Sequence, residues 1–407
     1  MFVQPFAQLQ TSSQMDFDAP RLSRQMTARL LASAKPRPRV LFIDRFAPTP
    51  DVDSGSNDIY WFMRIFLDLG YEVTFVAAHA PEHAGRYTDE MRLLGIICPV
   101  APLASPREFL EAHARDFDLV FVYRVTVANE LIEPLRQWAP DARLVFDTVD
   151  LHYLREQRAA ELTGSQHALA EAENLKDAEL RAIGKADATI LLSAYEYDQV
   201  GQLVPGAQRF LIPIVRPVPG RLAPYEDRRG ALFVGGFKHA PNIDAVHFLC
   251  GSIWPLVREM LTDALLKIVG ADAPDEIMAY HAPSDGVEIV GFVEDLTDLY
   301  RTTRLNVAPL RYGAGLKGKV VASLAVGLPC VATSEAAEGM VNSHEAEILV
   351  ADDPRAFAQA IVKVHSDREL WYRMSDAGVA YAQRNFSIEA TTERLRDMLK
   401  RLDLPCP

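Results

Sequence analysis

The chain has 407 residues, 24% charged and 49% hydrophobic, with a formal net charge of -13. That length suits about two or three globular domains, and the acidic balance argues against a broad nucleic-acid-binding face, which needs cations to meet phosphates. Four cysteines, Cys98, Cys250, Cys330 and Cys406, stand far apart without a C-x-x-C pair. They read as reduced thiols in a cytoplasmic protein and offer no zinc site.

Residues 1–36 form an N-terminal extension without the continuous apolar core of a signal peptide. Arg21–Ala34 has an amphipathic helical pattern, read as a surface segment or frayed tail, with a membrane-surface or partner contact as the alternative. No apolar run reaches the roughly 18 residues needed to span a bilayer.

From Arg39 onward, short apolar runs alternate with longer helical patterns. The runs are Val40–Asp44, Glu72–Ala78, Leu119–Arg124, Arg143–Asp150 and Ala188–Ser193, with helical patterns such as Asn57–Leu69 and Glu156–Lys185 between them. Continuous Val, Ile, Leu and Phe predict strands buried on both faces, hence a parallel sheet covered by helices on both sides. Leu211–Gly230 holds four prolines and little periodicity, and reads as an interdomain linker. The same grammar then restarts with Ala231–Gly236, Leu265–Gly270, Val287–Val293, Leu305–Leu310, Pro329–Thr333 and Glu347–Ala351. Ile388–Leu402 closes the chain as an amphipathic helix. The expected organisation is therefore an α/β first domain over 37–210, a linker over 211–230, a second doubly wound domain over 231–384 and a terminal helix within 385–407. Tandem domains of this kind bind ligands at the carboxyl ends of their strands, in the cleft between them.

One loop, "PLRYGAGLKGKVVASLAVGLP" (Pro309–Pro329), carries the chemistry. A phosphate-binding P-loop fails because Val320 stands where a magnesium-ligating Ser or Thr is needed. A dinucleotide fingerprint on Gly313, Gly315 and Gly318 normally opens its domain, whereas here three strands of the same half come before the strand that leads into the loop. A plain glycine turn explains one glycine but not three with Lys317 and Lys319 among them, next to Arg311. The remaining reading is a diphosphate cradle: backbone amides at a helix N-terminus face the anion, and the two lysines neutralise it.

These residues carry a resemblance. Ala231–Val246, Val287–Tyr300 and Val307–Met340 resemble the donor-nucleotide domain of family 4 glycosyltransferases of the two-domain, Rossmann-like GT-B fold. The opening from Val40 to Ala77 is similar to bacterial transferases of rhamnan or O-antigen polysaccharide synthesis. The resemblance implies sugar transfer from a UDP-, dTDP- or GDP-linked donor to a glycan or lipid-linked acceptor, with retention of configuration and no bound metal or covalently bound cofactor. It implies a setting at the cytoplasmic membrane face, in the company of other polysaccharide-assembly enzymes, and a last helix that crosses back to the first domain. By position it places Phe292 and Val293 beside the base, following Gly291, and Gly313, Gly315, Lys317 and Lys319 around the diphosphate. Gly55 approaches the phosphate from the other domain, Asp150 and His152 sit at a strand end facing the cleft, and Gly236, Lys238, Arg311 and Glu338 complete the donor side. The sequence departs from the family at four points. Ala314 and Ala322 replace a usual pair of glutamates, and Gly236 and Pro241 replace a usual arginine and lysine. A non-catalytic scaffold and a nucleotide-sugar epimerase or hydrolase are the alternative readings.

Asp51 and Asp53 form a D-x-D, the metal-holding pair of the other large transferase fold, but they lie in a proline-rich loop and read as a solvated turn or, for Asp53, an acceptor-side residue. His152 serves either as a satisfied structural residue or as a donor-sugar contact or acid/base group. His239 reads as a loop residue near the phosphates. Glu196 reads as a helix-start acid.

Overall fold

The computed structural model describes residues 37–51, 53–79, 85–99, 105–340 and 347–406. The Arg21–Ala34 helical pattern lies outside them. The strands of the first half are β1 (Arg39–Asp44), β2 (Glu72–Ala77), β3 (Leu119–Tyr123), β4 (Arg143–Asp147), β5 (Ala188–Leu191) and β6 (Arg209–Leu211). Those of the second half are β7 (Arg229–Val234), β8 (Leu266–Val269), β9 (Val287–Gly291), β10 (Thr303–Ala308), β11 (Cys330–Ala332) and β12 (Ile348–Val350). They form two parallel six-stranded sheets, ordered β2-β1-β3-β4-β5-β6 and β12-β11-β10-β7-β8-β9. The expected α/β architecture is therefore present twice.

Burial explains the strands. Val40 to Ile43 in β1 and Leu119 to Phe121 in β3 are fully buried, with Phe42 stacked on Phe121 at 4.8 Å between ring centroids. Helices cover both faces, so neither side of the sheet meets water. Each sheet also fixes where a ligand can go. The first reverses direction between β1 and β3, the second between β7 and β10. A crevice opens at such a point because the flanking connections run to opposite faces.

Three local features differ from the sequence reading. β4 stops at Asp147 rather than Asp150, because Val149 takes φ +64°, a left-handed turn no strand contains. The Glu156–Lys185 pattern is two helices, His152–Thr163 and Gln166–Lys185. Gly164 at φ +68° ends the first, and the Ser165 side chain accepts from the Ala168 amide to start the second. β6 is a strand of three residues, too short to show a period.

The chain passes from the first sheet to the second after β6 and returns after Phe386. At the crossing the Arg216 amide donates to the Phe386 carbonyl at 2.7 Å. The Arg216 guanidinium is anchored in the first half by Asn57 Oδ1 at 2.9 Å and Asp58 Oδ1 at 2.8 Å. The last helix, Ile388–Arg401, crosses back: Arg143 Nε donates to the Leu402 carbonyl at 3.2 Å, and Tyr71 Oη bonds the Pro405 carbonyl.

Candidate active site

A cleft of about 840 Å³ lies between the two sheets. It is lined by the residues that follow β1 and β3 on one side and β7 and β10 on the other, so it joins the two reversal points.

The first-domain wall is a set of paired charges. Asp44, buried at the end of β1, accepts from Arg124 Nε at 3.0 and 3.3 Å. Arg124 reaches on to Asp53 at 3.4 Å, while Asp53 caps the Ser54–Asp68 helix by accepting from the Ser56 amide at 2.9 Å. Asp51 is held by Arg86 and by Tyr87 Oη at 2.7 Å. The two carboxylates of the D-x-D therefore serve separate protein partners. Gly55 does not line the cleft, because Arg124 and Val149 lie over it; a Cβ there would come within 2.9 Å of each.

Asp150 and His152 do meet the cleft. His152 Nε2 lies 3.0 Å from Asp150 Oδ1, and Arg155 Nη1 donates to Asp150 Oδ2 at 2.5 Å. Burial opposes the charge on Asp150, but His152 and Arg155 together hold its carboxyl well below the usual range. A charged carboxylate only accepts, so the Nε2 end of the His152 ring donates to Asp150. The strained turn at Val149 aims Asp150: φ > 0 on a β-branched residue costs about 1–3 kcal/mol and persists only where its surroundings enforce it.

Glu196 is more than a helix-start acid. It forms a capping box with Ser193 and also accepts from the Leu151 amide at 3.1 Å, below the Asp150 turn. Glu179 accepts from the His152 and Tyr153 amides at 3.3 and 3.1 Å, capping a helix that has no side-chain cap of its own. Burial pushes Glu196 up to about 7, and Glu179 and Asp147 to about 8. In the unfolded chain such carboxyls ionise near pH 4. Between about pH 4 and pH 8 the folded state therefore binds more protons than the unfolded one, and stability falls as pH rises. The expected result is a first-domain melting temperature that drops between about pH 4 and pH 8 in scanning calorimetry; a flat or rising profile would remove the case for neutral carboxyls.

The second-domain wall is the glycine loop. Gly315 takes φ +63°, and a Cβ on it would lie 3.1 Å from the Asp150 Cβ. Gly318 opens the Gly318–Ala325 helix, and a Cβ there would lie 2.5 Å from Ser54 Oγ. The loop thus rests on the first domain with no space to spare. Lys317 is buried and folded back onto its own loop, donating to the Gly315 carbonyl at 2.8 Å, with Glu335 at 3.6 Å. Burial lowers its pKa. Lys319 Nζ donates to Asn242 Oδ1 and lies 4.5 Å from the Phe233 ring centroid. Burial, then the charge of Lys317, pushes it down to about 7. His239 lines the same region, and burial pushes it down to about 4.

The other predicted donor-side residues divide. Gly236 and Gly313 line the cleft, and so does Lys238, exposed at the rim and 3.3 Å from Asp272. Arg311 does not, because Asp244 holds it at 2.9 Å and Phe248 lies beneath it. Glu338 also lies outside the lining: Arg158 from the first domain binds it at 2.6 Å, together with Glu335 and the Gly313 carbonyl, each at 2.8 Å. Phe292 is half exposed and Val293 packs beside the Leu232–Tyr300 cluster, so neither reaches the lining. Leu296, Tyr300 and Ala322 line the cleft instead. Arg158, Arg124 and Asn242 escaped the sequence reading. For Arg158 a signal existed: Arg155 and Arg158 stand three apart, on one helix face, just after Asp150 and His152.

Residues 228–367 match the family model of the group 1 glycosyl transferases. No curated protein matches the chain in sequence. Among solved structures, sucrose-phosphate synthase from Thermosynechococcus elongatus superposes with a TM-score of 0.69 at 18% identity, over 90% of this chain and 99% of that one. HepE of Anabaena in complex with UDP and glucose superposes at 0.65 and 14%, over 89% and 99%. A glycosyltransferase from Rickettsia africae superposes at 0.66 and 11%, over 90% and 99%. At these identities the structures speak for the fold, and the family match speaks for the second half. Residues 228–367 are thus similar to the group 1 glycosyl transferases, and the chain as a whole has the two-domain GT-B fold.

Proposed function

We propose that the protein moves a sugar from a nucleoside-diphosphate donor to a hydroxyl of a glycan or glycolipid acceptor, in cell-surface polysaccharide synthesis. The observation that carries this reading is Lys319. Its ammonium sits buried at the cleft, beside the N-terminus of the Gly318–Ala325 helix, with no carboxylate bonded to it among the described residues. A diphosphate supplies the missing counter-charge.

In this reading the diphosphate lies against Lys319 and the helix amides. As the anomeric carbon–oxygen bond breaks, negative charge grows on the departing phosphate, where these fixed donors stabilise it. The acceptor oxygen bonds the same face of the anomeric carbon, and its proton passes to the departing phosphate, so retention needs no separate base. Asp150 and His152, held in one orientation, position the sugar from the first domain. The base lies against Leu296, Tyr300 and Ala322, which line the cleft.

Ala314 and Ala322 both line the cleft and bring no carboxylate to sugar or ribose, which favours a nucleotide-binding scaffold as the second reading. A thermal-shift panel of UDP, dTDP, GDP, ADP and CMP tests the proposal. A nucleoside diphosphate at a hundred times its Kd raises stability by about 2.7 kcal/mol, and CMP raises it less. Failure of every diphosphate to raise the melting temperature sinks the donor reading. Binding without turnover on any glycan acceptor selects the scaffold.

A further inference from the structure

We infer that Asn242 is a positioning residue of the anion site: a neutral acceptor that aims the Lys319 ammonium at the cleft without cancelling its charge. The inference rests on the diphosphate reading above and adds the residue that sets the site's charge.

The geometry leaves Asn242 one orientation. It is buried near the start of the Ala240–Phe248 helix, with its backbone amide bonded to the His239 carbonyl at 2.9 Å. Its Nδ2 donates to the Gly236 carbonyl at 2.7 Å, and its Oδ1 accepts from Lys319 Nζ. A carbonyl only accepts and an ammonium only donates, so exchanging the amide's two ends would break both bonds. The turn makes room for it: a Cβ on Gly235 would come within 2.7 Å of the Asn242 side chain. Asn242 thus ties the loop after β7 to the helix after β10, across the reversal point of the second sheet.

The choice of a neutral amide matters because of what surrounds Lys319. The titratable groups that face it are Lys317 on the same loop, the Cys330 thiol on β11 and His239 on the loop after β7. Among the described residues none is a carboxylate, and the Phe233 ring lies 4.5 Å from Nζ. An aspartate at position 242 would hold Lys319 permanently charged and already neutralised, and an arriving anion would have to compete with it. With asparagine, the incoming diphosphate is the first counter-charge Lys319 meets. Because burial pushes Lys319 down to about 7, anion binding above that pH draws a proton onto Nζ from solvent.

The test is titration calorimetry at pH 8 in two buffers of different ionisation enthalpy, on the full chain, with UDP first and dTDP, GDP or ADP if one binds more tightly. The terminal phosphate of these nucleotides titrates near pH 6 and adds no proton of its own at pH 8. The native protein is expected to take up close to one proton on binding. Asn242→Ala weakens binding about tenfold. Asn242→Asp weakens it by at least as much and abolishes the proton uptake, a change that a packing defect does not produce. Lys319→Ala loses both. Melting temperatures establish that each variant is folded. Native affinity and native proton uptake in both Asn242 variants would overturn the inference while leaving the diphosphate site standing. Native affinity in Lys319→Ala, or no binding by any of the four nucleotides, overturns the diphosphate reading and this inference with it.

Discussion

Replacing Lys319 by alanine leaves the fold intact and cuts turnover at least about tenfold, and toward a thousandfold if the lysine meets the leaving phosphate directly. The fold survives because the side chain contributes little to it. Its ammonium is desolvated, its pKa is pushed down to about 7, and its bonded partner is one amide. The reaction suffers because the lysine is a fixed, buried donor at the place where charge develops. Such donors act more strongly than in water and need no rearrangement at the moment of bond cleavage. Steady-state kinetics, paired with melting curves, read both halves of the expectation. Unchanged turnover in a well-folded variant would remove the phosphate role of the loop.

The second large effect is steric. Gly318→Val is expected to lower turnover at least about tenfold by keeping the cleft open. Gly318 has an ordinary helical backbone, so its own domain accepts a larger residue. The obstacle is across the cleft, where a Cβ would lie 2.5 Å from Ser54 Oγ and 3.1 Å from Ser54 Cβ. Ser54 cannot easily retreat, because Arg216 holds its hydroxyl. Small-angle scattering should show the variant more extended than the native protein in the presence of nucleotide. The additional change Ser54→Gly returns part of the space and part of the turnover. A variant that closes normally and remains slow would place the defect in the loop rather than between the domains.

Much of this arrangement was legible in the amino-acid sequence. Continuous apolar runs announced the strands, because a parallel sheet buries both faces and leaves no alternation to confuse with a helix. The loop at Gly313–Lys319 was legible because three glycines and two lysines in seven residues have few structural uses. Strand ends were less so: β4 loses its last three predicted residues to one left-handed valine, and no propensity foretells valine there. Partners of charged residues were the least legible. Arg311 and Glu338 have suitable chemistry in a suitable stretch, yet Asp244 and Arg158 claim them. Those partners lie 67 and 180 positions away in the chain, and only the folded structure brings them together.

The crossing at Arg216 and Phe386 has a mechanical consequence. The chain passes between the halves twice, and the two passages are hydrogen-bonded to each other where the Arg216 amide meets the Phe386 carbonyl. Tied together at this crossing, the two halves are expected to open by a swing about it rather than by sliding apart. Contacts far from the axis travel furthest in that swing. Arg158 with Glu335 and Glu338, and Arg86 with Glu294, are ion pairs that join the two halves across the cleft among the described residues. They are the ones to break as the cleft opens, and the nucleotide leaves by the same arc.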